Sequence, residues 1–443
     1  MSLKRGGSLF YEAGLEGKGI FGLRLLNEPG DLRQEIFEVS ETRDGAPQLT
    51  YEKAGEYRIT KKFFFGEDRP TFVQEIDFEN LSDREKNFTA EIDYALKLGA
   101  VHGQDEMSVE RVQLSAGEVR SAKLKNLRKG VLATAEPAEW HGLLRRFEAL
   151  LVKPDWKIVG EESEAEGDNL VSRLKLAPLA VAPGEQRTAR LLVYAGPQKY
   201  GELKSLGLDF EKILTQGMLG TLRLWMLLGL DYFFHLTGNY GVAILVLTLL
   251  IKLLFTPLTH FSYQSMGKMQ ALQPKMKALQ SQHKNDPQRL NKEMMELYRR
   301  NRVNPLGGCL PMVLQIPIFI AFYQVLSTAA DIKGAAFIGW VRDLSEPDRL
   351  FSWPSDLPFI GHSFNLLPVL MIGSMLWQQK LTPQTTADPM QQKIMYLMPI
   401  VFGFVFYNLP SGLVLYWLVN NLLTIFHQLV IKRIPVILHH EDR

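Results

Sequence analysis

Cysteine is nearly missing from this sequence: Cys309 is the only one in 443 residues. No intramolecular disulfide can form, and cysteine usage says nothing about redox compartment. Leu306 to Cys309 reads LGGC, the form of a lipoprotein cleavage box, but that signal works at the end of an N-terminal signal peptide and this one is internal. Metal-ligand spacings, a nucleophile elbow and a Gly-rich phosphate loop are also absent, and His102 and His141 stand isolated in sequence. The opening MSLKRGGSLFYEAG holds no apolar stretch of signal-peptide length. Acid is lacking where it would matter most. Five apolar runs, at 239–258, 305–327, 364–379, 394–409 and 412–430, contain no Asp or Glu.

What is present divides into two dissimilar halves. The averages, 46% hydrophobic and 22% charged with a net charge of +2, conceal this. Residues 1–212 are rich in charge and turn formers. NFTAEIDYALKL (87–98) alternates, with Phe88, Ala90, Ile92, Tyr94, Leu96 and Leu98 on one face. Thr89, Glu91, Asp93 and Lys97 lie on the other, so the pattern predicts a strand with one wet face. TFVQEIDFEN (71–80) places Phe72, Ile76 and Phe78 inward in the same way. Further strand-like runs at 56–70, 169–179 and 187–197 are bounded by Gly, Pro, Asn and Asp. Many short strands with turn signals between them predict an antiparallel β-sandwich. WHGLLRRFEALLV (140–152) fits a short helix or a strand. Sandwiches of this kind can bind or isomerise sugars, but no catalytic constellation is visible, which favours a scaffold or docking role.

The second half predicts an all-α membrane domain over 213–443. The 239–258 run is about twenty residues, the length a bilayer core requires. With the other four runs it makes five transmembrane helices. LGTLRLWMLLGLDYFFHL (219–236) sets Arg223, Asp231 and His235 beside a Trp/Phe/Leu-rich surface, as in a helix lying in the membrane interface. The 259–304 loop carries nine Lys/Arg against three acids, +6, and the 328–363 loop three against five, −2. The positive-inside rule places the first loop and the C-terminal tail in the cytoplasm, and therefore residues 1–212 outside. That topology needs a preceding anchor span, so one, together with some first strands of the sandwich, is expected ahead of this sequence.

Within the 259–304 loop, Met269, Leu272, Met276 and Leu279 follow 3-4-3 spacing, and Leu290, Met294 and Leu297 form a matching stripe after Asp286-Pro287. An antiparallel helical hairpin follows, starting its second arm at Pro287, with a kink expected at Pro274. Its methionines either pack the hairpin or offer an adaptable surface to apolar chains. In the first run, Thr248, Lys252 and Thr256 at i, i+4 and i+8 share one helix face. Lys252 has no carboxylate partner within the five runs. It either snorkels toward the interface, roughly 9 Å away at Leu258, or faces a wet, protein-lined cavity. Gln315, Asn420 and Asn421 add candidates for a polar wall.

SMGKMQALQPK (265–275), NPLGGCLPMVLQIPIF (304–319), DPMQQKIMYLMP (388–399) and PSGLVLYWLVNNLLTI (410–425) resemble, in order and spacing, the signatures of the YidC family of membrane protein insertases. The resemblance covers 219–433, and the N-terminal half is similar to the periplasmic domain of Gram-negative members, giving a two-part fold: an all-β periplasmic sandwich, supersandwich-like, and the helical membrane domain. It implies an insertase and chaperone of the bacterial inner membrane, multi-pass, handling nascent and small membrane proteins. Such proteins work alone or with the Sec translocon, meet the ribosome or targeting machinery through the cytoplasmic loop, and need no nucleotide, metal or cofactor. It also implies that Lys252 takes the place of a groove cation that most members supply as arginine, and that Thr248, Gln315 and Trp417 match groove-lining positions. Lysine keeps the charge but not the planar fork of arginine. An ion- or proton-coupled transporter is the alternative; five spans, no visible inverted repeat and no intramembrane acid relay weigh against it.

Overall fold

The computed structural model describes residues 21–28, 32–33, 35–66, 69–98, 108–167, 169–284, 286–304, 310–357, 360–382 and 389–433. The opening segment, His102, Cys309 with its LGGC sequence and Asp388 lie outside the described residues. The chain separates into two compact units that meet in sequence between Met218 and Leu219.

The first unit contains two large antiparallel sheets. One has five strands, in the order Gly22–Leu25, Ala90–Lys97, Asn169–Leu176, Ile158–Glu166 and Leu132–Thr134. The other has nine: Glu38–Glu41, Pro47–Lys53, Tyr57–Phe65, Thr71–Asn80, Gln186–Pro197, Glu148–Pro154, Trp140–Arg145, Glu110–Ser115 and Glu118–Lys123. Alternate residues of both sheets, among them Ile59, Phe78, Ile92, Leu143, Leu174 and Leu191, form one shared core. The ambiguous WHGLLRRFEALLV segment is a hairpin, with Leu143 opposite Leu150 and His141 opposite Val152. The wet face expected for strand 90–97 is not wet. Glu91 and Asp93 are 3% and 2% exposed. Arg33 pairs with Asp93, and Arg24 Nη1 lies 3.9 Å from Glu91. A period of two marks two faces; it does not say which of them the rest of the chain covers.

The second unit is helical. We number its helices α1 (Gly220–Thr237), α2 (Tyr240–Gln282), α3 (Pro287–Arg300), α4 (Leu310–Thr328), α5 (Leu366–Leu381), α6 (Pro389–Phe406) and α7 (Ser411–Arg433). Helix α1 buries Met226, Leu227 and Leu230 while Trp225 and Tyr232 stay exposed. It ends at Gly238, whose φ of 69° is the left-handed conformation glycine adopts most readily. Asn239 then caps α2, its side-chain oxygen accepting from Gly241 N (2.8 Å) and Val242 N (3.2 Å).

Helix α2 joins the first apolar run to the first arm of the hairpin without a break, as 43 helical residues through Pro257 and Pro274. At 1.5 Å per residue that is about 65 Å, roughly twice a hydrocarbon core. The change from apolar to polar sequence after 258 marks an exit from apolar surroundings, not a helix stop: the helix runs on through Gly267 and Pro274 and ends at Gln282. Among the described residues, two helices are long and apolar enough to cross a membrane: α2 and residues 411–430 of α7. Residues 313–328 and 393–406 form shorter apolar helices. The loop that follows α4 holds a small β-hairpin, Phe351–Leu357 against Gly361–Phe364.

The second arm of the helical hairpin starts as its sequence predicts. Asp286 caps α3 through Arg289 N (3.0 Å), with Pro287 in the first turn. Met269, Leu272, Met276 and Val303 are buried in the seam, and Met294, Leu297 and Tyr298 pack against them.

Candidate functional site

Helix α2 carries a lysine inside a run of leucines, and the surrounding helices supply no acid to pair with it. None of α2, α4, α5, α6 or α7 contains Asp or Glu. Leu249, Leu250, Leu253 and Leu254 beside it are exposed on the outer side of α2, while Lys252 itself is half-buried. Its ammonium donates to Thr424 Oγ1 of α7 at 2.6 Å. Thr424 is 4% exposed, and its own hydroxyl proton goes to Asn420 O at 2.7 Å. Further along, Gln428 Nε2 of α7 donates to Tyr263 OH of α2 at 2.7 Å. The pairs 252–424 and 263–428 ascend together, so α2 and α7 run side by side in the same direction. Lys252 lies twelve residues beyond Tyr240 and Thr424 thirteen beyond Ser411, close to one level. The lysine therefore reaches sideways across the helix pair, not along its own helix.

The remaining predicted residues divide among three neighbourhoods. Thr248 is buried, 1% exposed, and bonds back to Ile244 O at 2.6 Å; half-buried Thr256 does the same to Lys252 O at 2.8 Å. Their protons are spent within α2, leaving lone pairs only. Gln315 of α4 donates to Tyr416 OH of α7, and Tyr416 stacks on Phe322 at 4.6 Å. Trp417 stands in an aromatic group with Phe319 (5.2 Å), Phe402 (5.9 Å) and Phe406 (5.2 Å). Its buried Nε1 has no hydrogen-bond partner among the described residues. Thr424 escaped the sequence reading. Asn421, Thr424 and Gln428 recur at three- and four-residue spacing in an apolar helix, all 4% exposed, and that stripe was the available signal.

In the first unit His141 is not isolated in space. Tyr94 OH and His141 Nδ1 share a hydrogen bond, and Arg111 Nη2 pairs with Glu161 Oε2 at 2.7 Å. His141 Nε2 lies 3.2 Å from Glu161 Oε1, close enough for attraction but not aligned as a hydrogen bond. Burial pulls the imidazole below its ordinary 6.5. Burial also acts to raise the Glu161 carboxyl, but His141, Arg111 and Ser163 outweigh it and hold the group below the ordinary carboxylate range. All four groups are at most 3% exposed, so this is a buried ion-pair cluster joining the sheets. Among the described residues no three metal-ligating side chains converge.

Two family models match the chain, one for each unit. The model described as YidC periplasmic domain matches residues 24–228, and the model described as 60Kd inner membrane protein matches 232–437. The membrane protein insertase YidC of Syntrophobacter fumaroxidans is 35% identical over 389 residues, covering 86% of this chain and 70% of that protein. The chain belongs to the YidC family. The YidC of Pelobacter propionicus is 41% identical over 322 residues, 72% of this chain and 59% of that protein. A crystal structure of an active YidC insertase with its first transmembrane domain is similar over 92% of this chain and 82% of that one, at 20% identity and a TM-score of 0.40. The chain spans 56–59% of the length of the first YidC relatives it matches.

Proposed function

We propose that this chain inserts and chaperones hydrophobic proteins in the bacterial inner membrane. The observation that carries the reading is Lys252: a cation in an apolar helix, in a bundle whose apolar helices hold no acid, held by a hydroxyl and not by a counter-ion. A charge maintained in such surroundings marks a functional site, and a neutral partner leaves it free to engage an incoming carboxylate. In this reading the Lys252 face of α2 borders a hydrated groove open to the cytoplasm and to lipid, with Thr248, Thr256, Gln315 and Trp417 as further lining residues. Five spans cross the bilayer, α1 lies in the interface, and residues 1–212 are periplasmic. The α2–α3 hairpin, net +6, faces the cytoplasm and meets ribosome or targeting machinery; the Sec translocon is a partner for larger clients.

No nucleotide is needed. Short helices thin the bilayer near the groove: the sixteen residues of α5 reach about 24 Å against about 30 Å of hydrocarbon. The polar part of a client then crosses a shorter apolar path, and burial of its own apolar helix in lipid drives the step. The test is photocrosslinking from position 252 to a ribosome-bound nascent membrane protein. Adducts that form while the client is in transit, and vanish once it is inserted, support the reading; adducts to lipid alone overturn it.

A further inference from the structure

The partner of Lys252 is not a neutral bystander. A lysine stem is long enough to carry its ammonium from a mid-helix position toward the cytoplasmic end of α2, where water would solvate it more fully. In this structure the ammonium is instead drawn across to α7. The hydroxyl that holds it is itself fixed: Thr424 donates its single proton to Asn420 O, so only lone pairs face Lys252. Thr424 is 4% exposed, which prevents water from substituting freely for it. The result is an acceptor of one defined direction, at the level of Lys252, built into the neighbouring helix.

We propose that Thr424 is a positioning residue: it sets the depth and direction of the Lys252 charge and thereby the preference of the groove for acidic clients. The proposal rests on Lys252 being the receptor for client carboxylates. A hydroxyl suits the task because it is a weaker partner than the client. It engages one of the ammonium's three protons and leaves the others for a client carboxylate, whose full negative charge makes it the stronger partner. A resident carboxylate would hold Lys252 too firmly and cancel its field.

The experiment measures insertion of two matched small clients, differing only in acidic or neutral residues in the translocated segment, by full-length Thr424→Val, Thr424→Ser, Thr424→Asp and Lys252→Ala, at equal protein levels. Thr424→Val keeps the shape and removes the acceptor. It lowers the acidic-to-neutral insertion ratio, by up to about tenfold if one hydrogen bond to a charged group is lost. Thr424→Ser restores the ratio, and Thr424→Asp lowers it further while the neutral client is inserted as before. A Thr424→Val ratio equal to wild type, or an equal loss for both clients, overturns the positioning role. Lys252→Ala separates the two claims. If it lowers the ratio and Thr424→Val does not, only the present proposal falls; if it leaves the ratio unchanged, the receptor reading falls and takes this proposal with it.

Discussion

At the scale of single residues, both units bury charge, and they handle it differently. The first answers its buried acids with cations and lays its buried Lys61 over the Phe37 ring. Arg111 and Glu161 form an ion pair between the sheets, with His141 neutral beside it. Both His141 and Glu161 have folded-state affinities for protons below their unfolded ones, so the unfolded chain binds more protons as the pH drops. Stability contributed by His141 is therefore complete above about 6.5 and is lost as the pH falls below it; the Glu161 contribution follows below about 4.5. Thermal melts of the protein between pH 7.5 and 5 should show the first unit weakening, and His141→Gln should flatten that slope. A slope unchanged by His141→Gln would remove His141 as its source. Glu161→Gln, which strands a buried guanidinium, should cost about 3 kcal/mol. Among the described residues Lys252 has no ion-pair partner, and the lack was legible in sequence because acids missing from the apolar runs can be counted. Its actual partner was not: a threonine 172 positions away is chosen by helix packing, which no local pattern reports.

Elements show where periodicity suffices and where it fails. The Asp286 cap, the Met/Leu stripes and the alternating strands of the sandwich were readable because each depends on neighbours in sequence. The 43-residue continuity of α2 was not, since the apolar run and the hairpin stripe are separate patterns that do not report the backbone between them. The buried second face of strand 90–97 was equally hidden, because its cover comes from Arg24 and Arg33, far away in the chain. The hairpin gives a direct test of what its methionines do. Met276 is 3% exposed in the seam and Met295 61% exposed on the outside. Met276→Ala should loosen the hairpin by about 2–3 kcal/mol, while Met295→Ala should change its stability by less than about 0.5 kcal/mol. Hydrogen exchange over residues 269–303 reads both, and equal effects would mean that the seam is not the core of this element.

At the scale of the whole molecule, the proposed function needs the first unit outside the membrane, the second across it, and one working charge in the bundle. A cysteine at position 284, on the hairpin, should react with impermeant reagents only from the cytoplasmic face; labelling from outside intact cells would invert the topology. The central claim is that Lys252 acts by its charge, as a receptor for acidic client segments and not as a structural anchor. Attraction requires charge more than geometry. A snorkelling anchor would serve all clients alike. The most direct measurement compares insertion of matched acidic and neutral clients by Lys252→Arg, Lys252→Ala and Lys252→Glu proteins present at equal levels. The account predicts that arginine retains insertion of both, that alanine impairs the acidic client selectively, and that glutamate impairs it more severely still. Equal loss for acidic and neutral clients in the alanine and glutamate variants would contradict it.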